Sequence, residues 1–315
     1  MDLENKIISS LSYNFSKKTS SVGIGDDCAY LKKQNLLIST DTFIEKIHFD
    51  LKKTHPKEVA HKFFCANYSD IQCTGGIARY CFLNISFPKT KSIFIEVFLK
   101  ELINIFKNYK ILLMGGDTTN AKKDISLTMT LIGTPYKNKP ILRSTAKIND
   151  SVFTFSNIGF SKLGYNYLYK NKSYTNKKIY TKSIKKFLKP EIYTYNFLLY
   201  KLPITSCMDL SDGLINDLNK ISNMSDKKII LHNIESINPL LYKNLKYNDY
   251  FRLVLSSAEE FTPIFTIPSS YSQKAIKTFK KYLNINLVKI GTIKKGEGIY
   301  HDSFDLTSIK TFQHF

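Results

Sequence analysis

Carboxylates flanked by glycines and hydroxyls recur five times along the chain. They are Gly25-Asp26-Asp27-Cys28, Ser39-Thr40-Asp41-Thr42, Tyr68-Ser69-Asp70, Gly115-Gly116-Asp117-Thr118-Thr119 and Asp209-Leu210-Ser211-Asp212-Gly213. Cys28 apart, these motifs offer only oxygen ligands. Oxygen suits a hard cation such as Mg²⁺, which is typically held by a few carboxylates, waters and substrate phosphates; zinc or iron would ask for His or Cys. Several carboxylates packed together without a metal would raise one another's pKa values. Bound magnesium removes that cost and gives a polyphosphate something to bridge to. Taken singly, each motif is also the ordinary material of a turn or a helix N-cap. As a set they point to one metal and phosphate site.

Two common phosphate-handling designs are absent. The sequence contains no GxxxxGK[ST] loop. Nor does it contain the HRD and DFG pair of protein kinases. A different nucleotide-binding architecture is required.

The elements that must position these acids can be read from periodicity. LLISTDTF (36–43) begins apolar and ends in hydroxyls and an acid, as a strand delivering its end to a site. KEVAHKFFCANYSDIQC, after Pro56, has the apolar spacing of a helix with Asp70 near its C-terminal half. CFLNISFP predicts a strand, SIFIEVFLKELINIFKNY a long helix, ILLMGGDTT a buried strand running into two glycines, and ISLTMTLIGTP an alternating strand. SVFTFSNIG opens a second unit, where the Lys- and Tyr-rich stretch 165–190 predicts helices with a basic surface. PITSCMDLSDGLINDLNKIS there reads as strand, acidic turn and helix, and IILHNIE, FTPIFTIP and LVKIGTI supply later strands. Residues 1–18 read as an amphipathic helix carrying Leu3, Ile7, Ile8, Leu11 and Phe15. Alternating strands and helices over 315 residues predict a mixed α+β protein of two domains, 1–140 and 141–315.

Composition narrows the partners. Lys and Arg total 46 against 26 Asp and Glu, for a formal charge of +20. Arginine, whose fork reads phosphate and guanine bidentately, occurs only as Arg79, Arg143 and Arg252 in a chain rich in Lys, Ile, Asn, Tyr and Phe. That bias suits an AT-rich genome as well as it suits a nucleic-acid surface, and argues against nucleic acid as the main partner. The five cysteines form no CxxC pair and read as reduced, buried thiols. MDLENKIISS lacks the features of a signal peptide, and no apolar run approaches the ~18 residues that span a bilayer, so a soluble cytoplasmic protein is expected.

Taken together in order and spacing, GIGDDCAYL, STDTFIEKIHF, HPKEVAHKFFCANYSDI, LLMGGDTT, RSTAKINDSV, DLSDGLINDL and the terminal HF resemble the thiamine-monophosphate kinase family, within the superfamily of aminoimidazole ribonucleotide synthetase and selenophosphate synthetase. The resemblance runs almost end to end. It implies the two-domain aminoimidazole ribonucleotide synthetase-like fold, an N-terminal domain with a dimer-forming sheet, and a homodimer. It also implies ATP-dependent transfer of a phosphoryl group to thiamine monophosphate, giving thiamine diphosphate, with several Mg²⁺ ions. By position it places Asp26, Ser39, Thr40, Asp41, Asp70, Asp117, Asp209 and Asp212 at Mg²⁺. It places Gly116, Asp117, Arg143, Ser211 and Tyr109 at ATP, and His48, Glu259 and Phe312 at the thiamine substrate. Of the adjacent pair, Asp26 is expected to be the ligand rather than Asp27. No general base is expected, because a phosphate monoester is already anionic.

The chain departs from the family in one loop. Where the family shows Gly-Gly-Glu-Asp-Tyr-Glu, this chain has Ser257, Ala258, Glu259, Glu260, Phe261 and Thr262. Losing both glycines predicts an altered backbone path. Two rivals are kept. Another ATP-using member of the superfamily is disfavoured because residues 1–22 hold no reactive Cys and because STDT, GGDTT and DLSDG occur together. A basic RNA-binding protein using 165–190 predicts salt-sensitive RNA affinity instead.

Overall fold

The computed structural model describes residues 21–171 and 176–309, with Leu3, Lys6, Ile7, Ser10 and Leu11. Those five are helical, with Leu3, Ile7 and Leu11 exposed. Ile8, Phe15 and Phe312 lie outside the described residues. No described helix is long and apolar enough to cross a membrane.

The chain is a mixed α+β protein built on two sheets that form two domains. The first sheet contains β1 (Ala29–Leu31), β2 (Leu36–Ile44), β3 (Gly76–Phe87), β4 (Leu112–Asn120) and β5 (Ser126–Pro135), in the order β1-β2-β5-β3-β4. Helices α1 (Pro56–Cys73) and α2 (Ser92–Tyr109) cover one of its faces. The sequence starts α1 firmly. Pro56 occupies the first turn, where its missing N–H costs nothing, and His55 and Glu58 form a reciprocal capping box. Strand β5 alternates as its sequence predicts, burying Leu127, Met129 and Leu131 against α1 and α2. Each such side chain contributes about 1.5–3 kcal/mol.

That alternation also fixes which side chains can meet. Asp41, Met129, Leu83 and Gly116 form one cross-strand row on the helix-covered face. The next row, Thr42, Thr128, Asn84 and Asp117, points to the opposite face, because side-chain direction alternates with period two.

The second sheet contains β6 (Asp150–Phe155), β7 (Ser206–Asp209), β8 (Lys228–Leu231), β9 (Pro263–Pro268), β10 (Leu287–Lys294) and β11 (Ile299–His301), in the order β11-β8-β10-β6-β9-β7. Helices α3 (Phe160–Tyr169), α4 (Lys177–Leu188), α5 (Asn196–Lys201), α6 (Leu214–Ser225), α7 (Pro239–Asn244), α8 (Tyr247–Leu255) and α9 (Ser272–Leu283) complete this domain. Its two apolar clusters flank the sheet. The basic stretch is helical as expected, as α3 and α4.

One element departs from its sequence-based expectation. Strand β4 is exposed along its whole length rather than buried, with Leu112, Leu113 and Met114 each more than half accessible. It is the edge strand of its sheet, paired among the described residues only with β3, so an apolar sequence there has no second described strand beside it. Gly116 continues the strand instead of ending it. Its φ is 151°, and a Cβ at this position would lie 1.9 Å from the Leu83 carbonyl oxygen, so only glycine lets β4 approach β3 here.

Candidate functional site

Three carboxylates from three elements converge where the two domains meet. Ligand atoms of Asp27, Asp70 and Asp209 lie within 4.8 Å of one another. Asp27 comes from the loop before β1, Asp70 from the last turns of α1, and Asp209 from the end of β7. Each is held by a neighbour of small reach. Ser39 Oγ donates to Asp70 Oδ2 at 2.5 Å, Ser69 Oγ to Asp209 Oδ2 at 2.7 Å, and Cys73 Sγ to Asp27 Oδ2 at 3.2 Å. The trio therefore contains Asp27 in place of the expected Asp26. Asp26 sits beside it, its Oδ2 accepting from the Arg143 backbone N–H at 3.2 Å.

Electrostatics mark the site as short of positive charge. Burial, then Asp27, pushes the Asp26 carboxyl up to about 7. Asp41 is raised to about 6 by burial, then by Asp212 and Asp27. Asp70 rises well above the usual range through burial and then Asp41, Asp209 and Asp27. Asp209 does likewise through burial, Asp27 and Asp217. Two buried polar atoms have no partner here: Asp209 Oδ1, an acceptor, and Arg143 Nε, a donor. The rest of the Arg143 guanidinium is engaged, with Nη2 on Asp27 and Nη1 3.5 Å from the Gly25 carbonyl. Clustered carboxylates with an orphaned acceptor fit a cation, and an orphaned guanidinium donor fits an anion beside it.

Behind Asp209, the DLSDG turn is built around a residue that motif reading did not single out. Asp217, fully buried in the first turns of α6, accepts from the backbone N–H groups of Ser211 and Asp212, each at 3.0 Å. Lys220 bonds Asp217 Oδ1 at 2.8 Å and also Asp212. An acid eight residues after Asp209, in the first turn of the amphipathic helix that follows the DLSDG turn, was the available signal. The turn in turn holds the divergent loop: Ser211 O accepts from Glu259 N at 2.8 Å, and Leu210 O accepts from the N–H groups of Glu260 and Phe261.

That loop takes its left-handed residues in an unexpected place. Ser257 and Ala258, standing where the family has glycines, do not adopt positive φ; Glu259 (φ 55°) and Phe261 (φ 50°) do. Ser257 instead uses its hydroxyl, donating to Glu260 Oε1 at 2.7 Å. Glu260 is fully buried and accepts from the N–H groups of Gly159 at 2.7 Å and Ser161 at 3.4 Å, where α3 begins. The Glu259 carboxylate pairs with Lys62, at 2.6 Å.

The remaining expected residues separate. Ser39 and Asp41 point to the helix-covered face of β2, into the cluster. Thr40 points the other way, its hydroxyl 3.0 Å from Thr130 Oγ1, so its side chain does not join them. Asp117 also lies on the outer face, exposed at the edge strand, and its Oδ1 accepts from its neighbour's N–H. Tyr109 packs against Phe64 and Tyr68. His48 stacks on Phe43 and accepts from the Ile44 N–H at 2.9 Å. Both Thr40 and Asp117 were expected at the metal; strand alternation is what turns them away.

Comparison with known proteins places the chain in a family. Residues 25–134 match the family model described as AIR synthase related protein, N-terminal domain. A thiamine-monophosphate kinase of Buchnera aphidicola subsp. Schizaphis graminum is 35% identical, over 93% of this chain and 92% of its own length. The chain belongs to the thiamine-monophosphate kinase family. The Haemophilus influenzae member is 30% identical over 93% of this chain and 92% of its own. A solved structure described as AaThiL complexed with AMPPCP and TMP has a TM-score of 0.82 at 24% identity, covering 100% of this chain and 99% of that one, so the family's fold extends over both domains.

Proposed function

We propose that the chain phosphorylates thiamine monophosphate to thiamine diphosphate at the expense of ATP, and that it does so at the junction holding Asp27, Asp70 and Asp209. The observation that carries the reading is the convergence of those carboxylates, with an unpartnered Asp209 oxygen and an unpartnered Arg143 Nε beside them. An ATP analogue and TMP are named together in the solved structure that shares this fold.

The chemistry suits the residues. The γ-phosphorus of ATP forms a bond to a phosphate oxygen of thiamine monophosphate while its bond to the β-phosphate oxygen breaks, and ADP leaves with that electron pair. The acceptor oxygen is already anionic, so the chain need not remove a proton from it. What the protein must supply is alignment and charge neutralisation. Magnesium held by Asp27, Asp70 and Asp209, with Asp26, Asp41 and Asp212 around them, would neutralise charge on the phosphates. Arg143 is the one guanidinium among the acids. Its backbone N–H orients Asp26, its own carbonyl is fixed by Ser206 Oγ at 2.9 Å and Ser225 Oγ at 2.8 Å, and its Nε, a buried donor without a partner, is the group a phosphate oxygen would meet. The DLSDG turn fixes Ser211 beside the acceptor loop.

A homodimer is part of this reading. The outer face of the first sheet carries exposed Tyr80 and Phe82, and β4 adds Leu112, Leu113 and Met114 along its edge. An apolar surface of that kind on a sheet asks for cover. Asp117 lies on the same face, so a second copy closing over it would bring this acid near a neighbouring protomer.

The reaction itself is tested by incubating purified protein with ATP, Mg²⁺ and thiamine monophosphate and separating the products. ADP and thiamine diphosphate in equal amounts are expected. ADP accompanied only by inorganic phosphate, or consumption of ATP that ignores thiamine monophosphate, would assign the chain to another reaction of the superfamily.

A further inference from the structure

Helix α1 carries more than one of the acids. Lys62, Ser69 and Cys73 share one of its faces, since offsets of seven and eleven residues return close to the same direction at 3.6 residues per turn. Along that face Cys73 bonds Asp27, Ser69 bonds Asp209 and Lys62 bonds Glu259. Lys62 carries a buried ammonium, with 5% of its side chain exposed. Its Nζ lies 2.6 Å from Glu259 Oε2 and 3.9 Å from the centre of the Phe187 ring, contributed by α4. A buried cation is costly unless paired, so both partners hold each other in place. Glu259 itself is strained: a non-glycine residue in the left-handed region persists only where its surroundings over-determine it. Two anchors do so, the Ser211 carbonyl on its backbone and Lys62 on its carboxylate.

We infer that Lys62 is a positioning residue for the acceptor: it holds the Glu259 carboxylate in one place beside the DLSDG turn, whose Ser211 carbonyl anchors the Glu259 backbone. Lys62 engages Oε2, and the Glu259 side chain keeps 29% of its surface exposed, so the carboxylate remains accessible to a ligand. The inference rests on the reading of Glu259 as an acceptor contact, which the same experiment separates.

Steady-state kinetics of Lys62→Met, Lys62→Arg, Glu259→Gln and the Lys62→Met/Glu259→Gln double variant, with Mg·ATP binding measured by calorimetry, test it. Lys62→Met is expected to raise KM for thiamine monophosphate about tenfold while KM for ATP and Mg·ATP affinity stay within about twofold; Lys62→Arg should restore most of the loss. The double variant, which leaves no unpaired buried charge, should fold even where Lys62→Met does not, and should match Glu259→Gln rather than add to it. An unchanged acceptor KM in Lys62→Met, or equal losses for both substrates, overturns the inference. In a Glu259→Gln variant that raises acceptor KM alone, additive behaviour of the double variant overturns the role of Lys62 and leaves Glu259 standing. An unchanged acceptor KM in Glu259→Gln removes the acceptor reading of that loop, and the inference with it.

Discussion

Asp26 and Asp41 are among the buried acids that shape the pH behaviour of the metal-free protein. Their carboxyls are pushed to about 7 and about 6, above their unfolded values near 3.8, by burial and by neighbouring acids. The folded state therefore holds protons that the unfolded state has released, and the associated stability is present below about pH 4 and is lost as pH rises toward 7. Thermal melting in chelator should show Tm falling across that window, and added Mg²⁺ should restore it increasingly from pH 6 upward. A Tm independent of Mg²⁺ at pH 7.5 would contradict a cation site. Asp209→Asn replaces a buried carboxyl crowded by Asp27 and Asp217 with a neutral amide, so this variant should melt higher than wild type in chelator at the upper end of that window yet gain less from Mg²⁺. At this scale the sequence was partly legible. The motifs single out acids that the fold brings together, Asp70 and Asp209 among them, because ligand chemistry depends on residue type. They favoured Asp26 over Asp27, whereas the trio contains Asp27 and the Arg143 backbone N–H takes Asp26, a choice no local motif contains.

Strand β2 and the divergent 257–262 loop show where local pattern stops. The alternation of LLISTDTF placed Ser39 and Asp41 on one face, and the same rule turns Thr40 away; a motif quoted as a string hides that difference. For ILLMGGDTT, apolar text suggested burial, but whether a strand is central or at an edge is decided by pairing that no local window contains. Gly116→Ala tests that edge geometry. The added Cβ would collide with the Leu83 carbonyl oxygen, and a destabilisation of about 1–3 kcal/mol is expected, read as a lower denaturation midpoint. The divergent loop gives a second test. Reversion of Ser257 to the family's glycine removes one of the three donors to Glu260 Oε1, beside the Gly159 and Ser161 N–H groups, and should cost about 1 kcal/mol rather than relieve strain, because φ at this position is not positive. Increased stability in Ser257→Gly would show that the hydroxyl contact is incidental.

For the whole molecule, a first sheet with one face under α1 and α2 and the other lined by Tyr80 and Phe82 predicts association. Phe82→Lys should shift the mass seen by light scattering at micromolar concentration from dimer to monomer; a wild-type monomer would remove this part of the proposal. The two-domain α+β organisation was readable from alternating periodicities, whereas the junction that brings Asp209 against Ser69 joins residues 140 positions apart and depends on how the domains pack. That junction is what the functional account depends on most. The most direct test is the rate of thiamine diphosphate formation from ATP and thiamine monophosphate in wild type and Asp209→Asn, across a Mg²⁺ titration. The account predicts Mg²⁺-dependent turnover in wild type and a loss on the order of a hundredfold or more in the variant, with its Mg²⁺ requirement shifted upward. Equal turnover by the two proteins at every Mg²⁺ concentration would contradict it.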